Sequence, residues 1–106
     1  MERARFTRAP LVVGVVSSVI AGHPKVPIWE QELSAGAACM TLLNAAHAEG
    51  FVGSWLTEWP AFSDTVRAAF APSGRIAGFL FIGTPGRELQ ERPRPDYADV
   101  VSVWQG

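Results

Sequence analysis

The chain has 106 residues, a net charge of −1 and no basic block. That is enough for one small domain and gives no basis for nucleic-acid binding through phosphate neutralisation. Its one cysteine, Cys39, rules out an internal disulfide framework and leaves a reducing cytoplasmic compartment as the expectation.

Hydrophobic residues make up 48% and charged residues only 18%, which is apolar for a small domain with much surface to cover. A subunit that buries one face in a partner, or a piece of a larger domain, accounts for the excess.

Arg3, Arg5 and Arg8 precede an apolar run over residues 10–21, imitating the charged and hydrophobic regions of a secretory signal. The run is far short of the roughly 20 residues that span a membrane. Val12, Val13, Val15 and Val16 are β-branched and Ser17 and Ser18 interrupt the run, so it reads as a buried strand. Residues 23–27 then form a proline-punctuated connection in which His23 is a solvated loop histidine.

Residues 28–49 read as a long helix. Pro27 stands just ahead of it, and Glu30 and Glu32 lie where the positive end of the dipole favours carboxylates. The series Leu33, Ala37, Met40, Leu43 and Ala46/His47 marks the expected inward face. Gly50 suits the left-handed position that ends a helix. Ser34, Ala35, Gly36, Ala37 and Ala38 cover little apolar area. A helix accepts such a stretch where something flat approaches its backbone. Cys39, among these small residues, reads as a buried filler rather than a reactive thiolate.

Residues 51–57 suit a short strand with a close backbone approach at Gly53, broken by residues 58–61. Ser63 and Asp64 are candidate caps for a short helix over residues 65–71, with Val66, Ala69 and Phe70 facing inward. Residues 75–83 read as a mostly buried strand. The tail over residues 88–106 is charged and proline-spaced at first, hence extended and exposed, and then apolar at Val100, Val101, Val103 and Trp104. Such an end docks on its own sheet or on another subunit.

No nucleophile elbow, phosphate loop, zinc spacing or serine–histidine–aspartate set is visible. Glu58 and Asp64 read as surface charge. Trp29, Trp55, Trp59 and Trp104 read as core and interface packing, because no basic groove accompanies them. No catalytic side chain and no metal ligand is expected. What remains is chemistry carried by a cofactor, for which the protein supplies shape and dipoles.

Three stretches carry a resemblance: APLVVGVVSSVIAGHPKVPIWEQ, WEQELSAGAACMTLLNAAHAEGFVGSWLT and VRAAFAPSGRIAGFLFIGTP. In that order they are similar to the second half of the FMN-dependent nitroreductase family, in its compact NAD(P)H nitroreductase branch, over residues 9–85. The resemblance implies an α+β, nitroreductase-like fold, with a mixed sheet, a long central helix and the N-terminal half missing. Residues 1–106 are then a single partial domain, ending in an arm over residues 88–106. It also implies FMN as cofactor and NAD(P)H as cosubstrate, with nitroaromatics or quinones as acceptors. Two subunits would pair through the long helix as a homodimer with FMN at the interface, without nucleic acid or membrane.

By carry-over, Trp55, Leu56 and Thr57 contact FMN, and Gly53 and Ser54 form the glycine-containing entry to that contact. Gly53 would let backbone approach the ring, and Trp55 would give a flat apolar wall. Ala45, Ala46, His47, Ala48, Glu49 and Gly50 match the stretch assigned to nicotinamide nucleotide binding in relatives, without a phosphate-binding signature of their own. The Arg-Arg-Ser type motif that grips the FMN phosphate in relatives has no counterpart, since Arg3, Arg5 and Arg8 lead straight into the first strand. Two alternatives stand beside this reading. One is an inactive C-terminal remnant, the other a dimerisation module that holds no FMN.

Overall fold

The structure, a computed structural model, describes residues 9–86 and 90–106. Arg3, Arg5, Arg8 and the first two residues expected in the arm lie outside them. The sheet is built on β3 (Arg75–Gly83), flanked by β1 (Leu11–Ser17) and β2 (Val52–Leu56) in the order β1–β3–β2. Both pairings are antiparallel. Among the described strands the sheet is therefore antiparallel, where a mixed sheet was expected. The parallel relationship survives in a different place. β1 and β2 run the same way, joined by a helical crossover, and β3 inserts between them as in a split βαβ unit.

The crossover is α1 (Ile28–Ala48). It starts on the carbonyl of Pro27, which accepts from the N–H groups of Glu30 and Gln31 at 3.1 and 3.2 Å. It ends in a Schellman arrangement: Gly50 N–H donates to the His47 carbonyl and Phe51 N–H to the Ala46 carbonyl, both at 3.0 Å. Gly50 takes φ +89° there, the left-handed conformation that glycine adopts without strain.

The face α1 turns to the sheet differs from the expected one. Cys39 and Ala46 are buried and Ala35, Gly36, Leu42 and Leu43 half-buried, whereas Leu33, Ala37 and Met40 are exposed. Of the expected stripe only Leu43 and Ala46 turn inward. Apolar residues occupy both sides of this helix, so periodicity could not choose between them. The small side won because the sheet comes close. Leu43 Cδ2 lies only 2.7 Å from where a Cβ on Gly53 would stand.

The opposite face of the sheet is covered by α2 (Glu58–Phe62) and α3 (Asp64–Phe70). Residues 58–61 do end β2, but by forming a short helix rather than a loop. Pro60 is tolerated because it sits in the first turn, where its missing N–H has no intrahelical acceptor. α3 is capped as expected, with Val66 N–H donating to Ser63 Oγ at 3.3 Å. Its inward face is narrower than expected. Val66 packs on the core, whereas Ala69 and Phe70 are exposed. Phe70 still reaches Phe79 edge-on, with ring centroids 6.3 Å apart.

Ala61, Ala71, Ile76 and Phe79 form the core on this side. A bulge brings Ile76 there. Val15 pairs with Gly78 but Val16 pairs with Ile76, leaving Ala77 as the extra residue. Leu80, fully buried, lies beyond the bulge opposite Trp55.

Beyond residue 89 the chain has one further element, the single turn α4 (Tyr97–Val100). Tyr97, Val100, Val103 and Trp104 are all exposed, Trp104 at 88%. The radius of gyration, 16.9 Å, exceeds the roughly 13 Å of a compact chain of this length. Trp29 and Trp59 are exposed as well, so neither contributes to the core of this chain.

Candidate functional site

β2 ends at a cleft of about 290 Å³. Trp55 and Thr57 form one wall, Glu32 and Gly36 of α1 another, and Phe62 of α2 closes a third side. Arg75, Ile76 and Ala77, at the start of β3, and Ser17, at the end of β1, complete the lining. The cleft thus combines two aromatic surfaces, a carboxylate, a guanidinium and two hydroxyls. Its volume falls at the small end of ligand pockets, roughly 300–1,000 Å³. It can enclose part of a cofactor-sized molecule.

Trp55 organises the site. Its indole N–H donates to the carbonyl of Ala77 at 3.1 Å. Its ring covers Gly78, where an added Cβ would collide with the indole and stand 3.2 Å from the Leu56 carbonyl. On the other side, Trp55 Cη2 lies 3.7 Å from a Cβ placed on Gly36. The flat object that approaches the small-residue stretch of α1 is therefore this chain's own tryptophan. Gly53 is used in the same way, since the space of its missing side chain is taken by Leu43 and by Ile82 Cγ1 at 3.6 Å.

These contacts bear on the FMN carry-over. The missing side chain of Gly53 and one side of the Trp55 ring are already occupied inside the fold. What remains for a planar ring is the cleft side of Trp55, the exposed Ser54 and Thr57, and the backbone along the edge of β2 that no strand among the described residues pairs. These fit the ring portion of such a cofactor. Ala45 to Gly50 lie elsewhere. Gly36 lines the cleft and Ala48 ends α1, a separation of about 18 Å along the helix axis. Ala45 to Gly50 nevertheless run directly into the other carry-over set, since only Phe51 and Val52 separate Gly50 from Gly53, while Trp55 and Thr57 lie at the cleft end of β2. Ala46 is buried and the other five are exposed. The carbonyls of Ala45, Ala46 and His47 all accept hydrogen bonds from the turn that follows. The negative end of the helix dipole points out there and disfavours a pyrophosphate.

Glu32, Arg75, Ser17 and Phe62 were not legible as site residues, because four separate elements bring them together. Glu58, next to Thr57, has φ +52°, a left-handed conformation uncommon for a residue with a side chain. Cys39 is fully buried, and burial pushes its thiol up despite a backbone hydrogen bond that acts the other way. Among the described residues, no three His, Cys, Asp or Glu side chains are grouped to hold a metal ion. No helix among them is long and apolar enough to cross a membrane.

Comparison with known proteins adds an independent line. YdjA of Escherichia coli (strain K12), which carries an NAD(P)H nitroreductase name, is 48% identical over 80 residues, covering 74% of this chain and 43% of its own length. A protein of Haemophilus influenzae with the same kind of name is 41% identical over 87 residues, covering 80% of this chain and 47% of its own. The chain therefore spans about half the length of the curated relatives it matches. A crystal structure of a nitroreductase-like family protein from Bacillus cereus superposes with a TM-score of 0.81. That match covers 99% of this chain and 56% of the other, and at 16% identity it speaks for the fold alone. The profile of the Nitroreductase family matches residues 1–84, so with this fold and these relatives the chain belongs to the Nitroreductase family.

Proposed function

We propose that this chain is the C-terminal part of an FMN-dependent oxidoreductase that passes reducing equivalents from NAD(P)H to nitroaromatics or quinones. The observation that carries the proposal is the position of Trp55 and Thr57. Both line the cleft at the end of β2, beside a strand edge that is unpaired among the described residues and can hydrogen-bond a flat heterocycle. Bound FMN would supply the hydride chemistry. The chain's own residues have other tasks: Trp55 offers an apolar plane, Ser54 and Thr57 offer hydroxyls, and the β2 backbone offers donors and acceptors. The phosphate grip is left to segments beyond this chain. Joining the chain to the N-terminal half of a relative such as YdjA should give NAD(P)H-dependent reduction of a nitroaromatic. Absence of turnover in a folded, flavin-loaded protein would contradict the proposal.

The assembly belongs to the same proposal. Trp29, Leu33 and Met40 form an exposed apolar stripe on α1, and Tyr97, Val100, Val103 and Trp104 form another on the arm. A second copy covering the α1 stripe would explain why so apolar a chain leaves these residues bare. The remnant and dimerisation-module readings draw on the internal use of Gly53 and Trp55. A flavin absorption band on the purified protein separates them from the enzyme.

A further inference from the structure

We propose that the cleft takes a flat aromatic carboxylate, with Arg75 holding the carboxylate and Glu32 accepting from an amino or hydroxyl group across the ring. As the electron acceptor of an oxidoreductase this ligand rests on the reading above, but the binding site itself does not.

The charges of the cleft carry the proposal. Glu32 lines it from α1 and Arg75 from the start of β3. Both are exposed, and among the described residues neither side chain takes part in a hydrogen bond or an ion pair. Two opposite charges therefore share one cleft without pairing with each other.

The topology explains how they come together. β1 and β2 end at the cleft, with Ser17 and the residues after Leu56, and α1 and β3 begin there. Ser17 is the register partner of Arg75. Trp55 fixes the distances. Its ring rests against Gly36, and Glu32 stands one turn from Gly36 on the same helix face, about 6 Å along the axis. Its indole N–H is bonded to the Ala77 carbonyl, and Arg75 stands two residues earlier on β3, roughly 6–7 Å away. Both charges thus lie beyond the same edge of the indole, one on the helix layer and one on the sheet layer.

A ligand that bridges them has a ring in between. Phe62, 68% exposed, and the cleft side of Trp55 leave aromatic surface bare for it. The planar fork of a guanidinium binds a carboxylate through two parallel N–H···O bonds. Glu32 can only accept, so it rewards an amino or hydroxyl group and repels a second anion. A phosphate group, with its greater charge, would meet that repulsion with Arg75 alone to balance it.

Titration of the whole chain without flavin tests this, read on the Trp55 indole N–H by nuclear magnetic resonance. The probes are para-aminobenzoate, para-aminobenzamide and terephthalate. Para-aminobenzoate should bind about tenfold more tightly than the amide, through charge-assisted bonds to Arg75. Terephthalate puts a carboxylate where the amino group was and should bind about threefold more weakly than para-aminobenzoate. Arg75→Gln should abolish the preference for acid over amide. Glu32→Gln should keep that preference and remove the penalty on terephthalate. Both side chains are exposed, so neither change touches the core. No response of Trp55 to any probe, equal binding of acid and amide, or an acid preference that survives Arg75→Gln would overturn the proposal. The flavin band is a separate readout: its absence contradicts the oxidoreductase reading and leaves the carboxylate site standing.

Discussion

The indole N–H of Trp55 donates to the carbonyl of Ala77 at 3.1 Å, tying the end of β2 to the extra residue of the bulge in β3. A bulge leaves its extra residue out of the ladder, and the tryptophan satisfies that residue from the side chain. Replacing Trp55 with phenylalanine should keep the plane but lose the bond, at a cost of about 1 kcal/mol. Alanine should cost about 2–3 kcal/mol, towards the low end for a large aromatic because the ring is partly exposed. Urea unfolding followed by circular dichroism measures both.

Gly78 and Gly53 look alike in sequence but should respond differently to alanine. At Gly78 the new methyl meets the indole, held in place by its bond to Ala77, and stands 3.2 Å from the Leu56 carbonyl. At Gly53 it meets the flexible end of Leu43 at 2.7 Å. Gly78→Ala should destabilise by about 2 kcal/mol or more, and Gly53→Ala by less than about 1 kcal/mol. The Gly78 penalty should shrink by about 1 kcal/mol in a Trp55→Ala background, which a double-mutant cycle reads directly.

Gly36 leaves room for one methyl group and little more. A Cβ there would lie 3.7 Å from Trp55 Cη2, an ordinary contact. Gly36→Ala should therefore stabilise the chain by roughly 0.5–1 kcal/mol through helix propensity. Gly36→Leu should destabilise it, since overpacking costs about 1–3 kcal/mol. Equal stability of the two variants would mean that Trp55 does not rest on this helix.

Glu58 holds φ +52° at the junction of β2 and α2. Glu58 also makes an interaction of its own, so a single substitution could mix two effects. The difference between Glu58→Gly and Glu58→Ala isolates the backbone. Glycine should be the more stable of the two by about 1 kcal/mol, because only alanine has a Cβ to strain in the left-handed region.

Cys39 should be inert in the folded chain. It is fully buried and its thiol is pushed up, so the thiolate that reacts is scarce through the neutral range. Labelling with an exposed-thiol reagent should proceed only as the protein unfolds, at a rate set by opening rather than by reagent concentration. Rapid, concentration-dependent labelling of native protein would contradict the packing of α1 on the sheet.

Local chemistry made much of this fold legible. Pro27, Gly50 and Ser63 mark helix ends by mechanisms that act within a few residues, and all three work as expected. The apolar run of β3 likewise announces a buried strand. The β-branched run of β1, expected to be buried, instead forms an edge strand that is only half-buried, because it covers one side of β3 and nothing described covers its other edge. Long-range packing was not legible. The stripe of Leu33 and Met40 is as apolar as the one that faces the sheet, so only the sheet's close approach decides between them. The pairing of Trp55 with Ala77, Gly78 and Gly36 depends on a bulge that leaves no local signal. The cleft was half visible. Trp55 and Thr57 came from resemblance, but Arg75 and Glu32 meet there only once β3 has inserted between β1 and β2.

We propose that this chain supplies the ring-facing part of a flavin site and that the phosphate grip comes from another segment. FMN affinity, measured by quenching of flavin fluorescence, tests it directly. Charge-assisted hydrogen bonds contribute about 1.5–3 kcal/mol each, and every 1.4 kcal/mol is tenfold. Losing two of them should leave the isolated chain about two to four orders of magnitude weaker for FMN than the chain joined to the N-terminal half of a relative such as YdjA. Equal, tight binding by the two proteins would contradict the account.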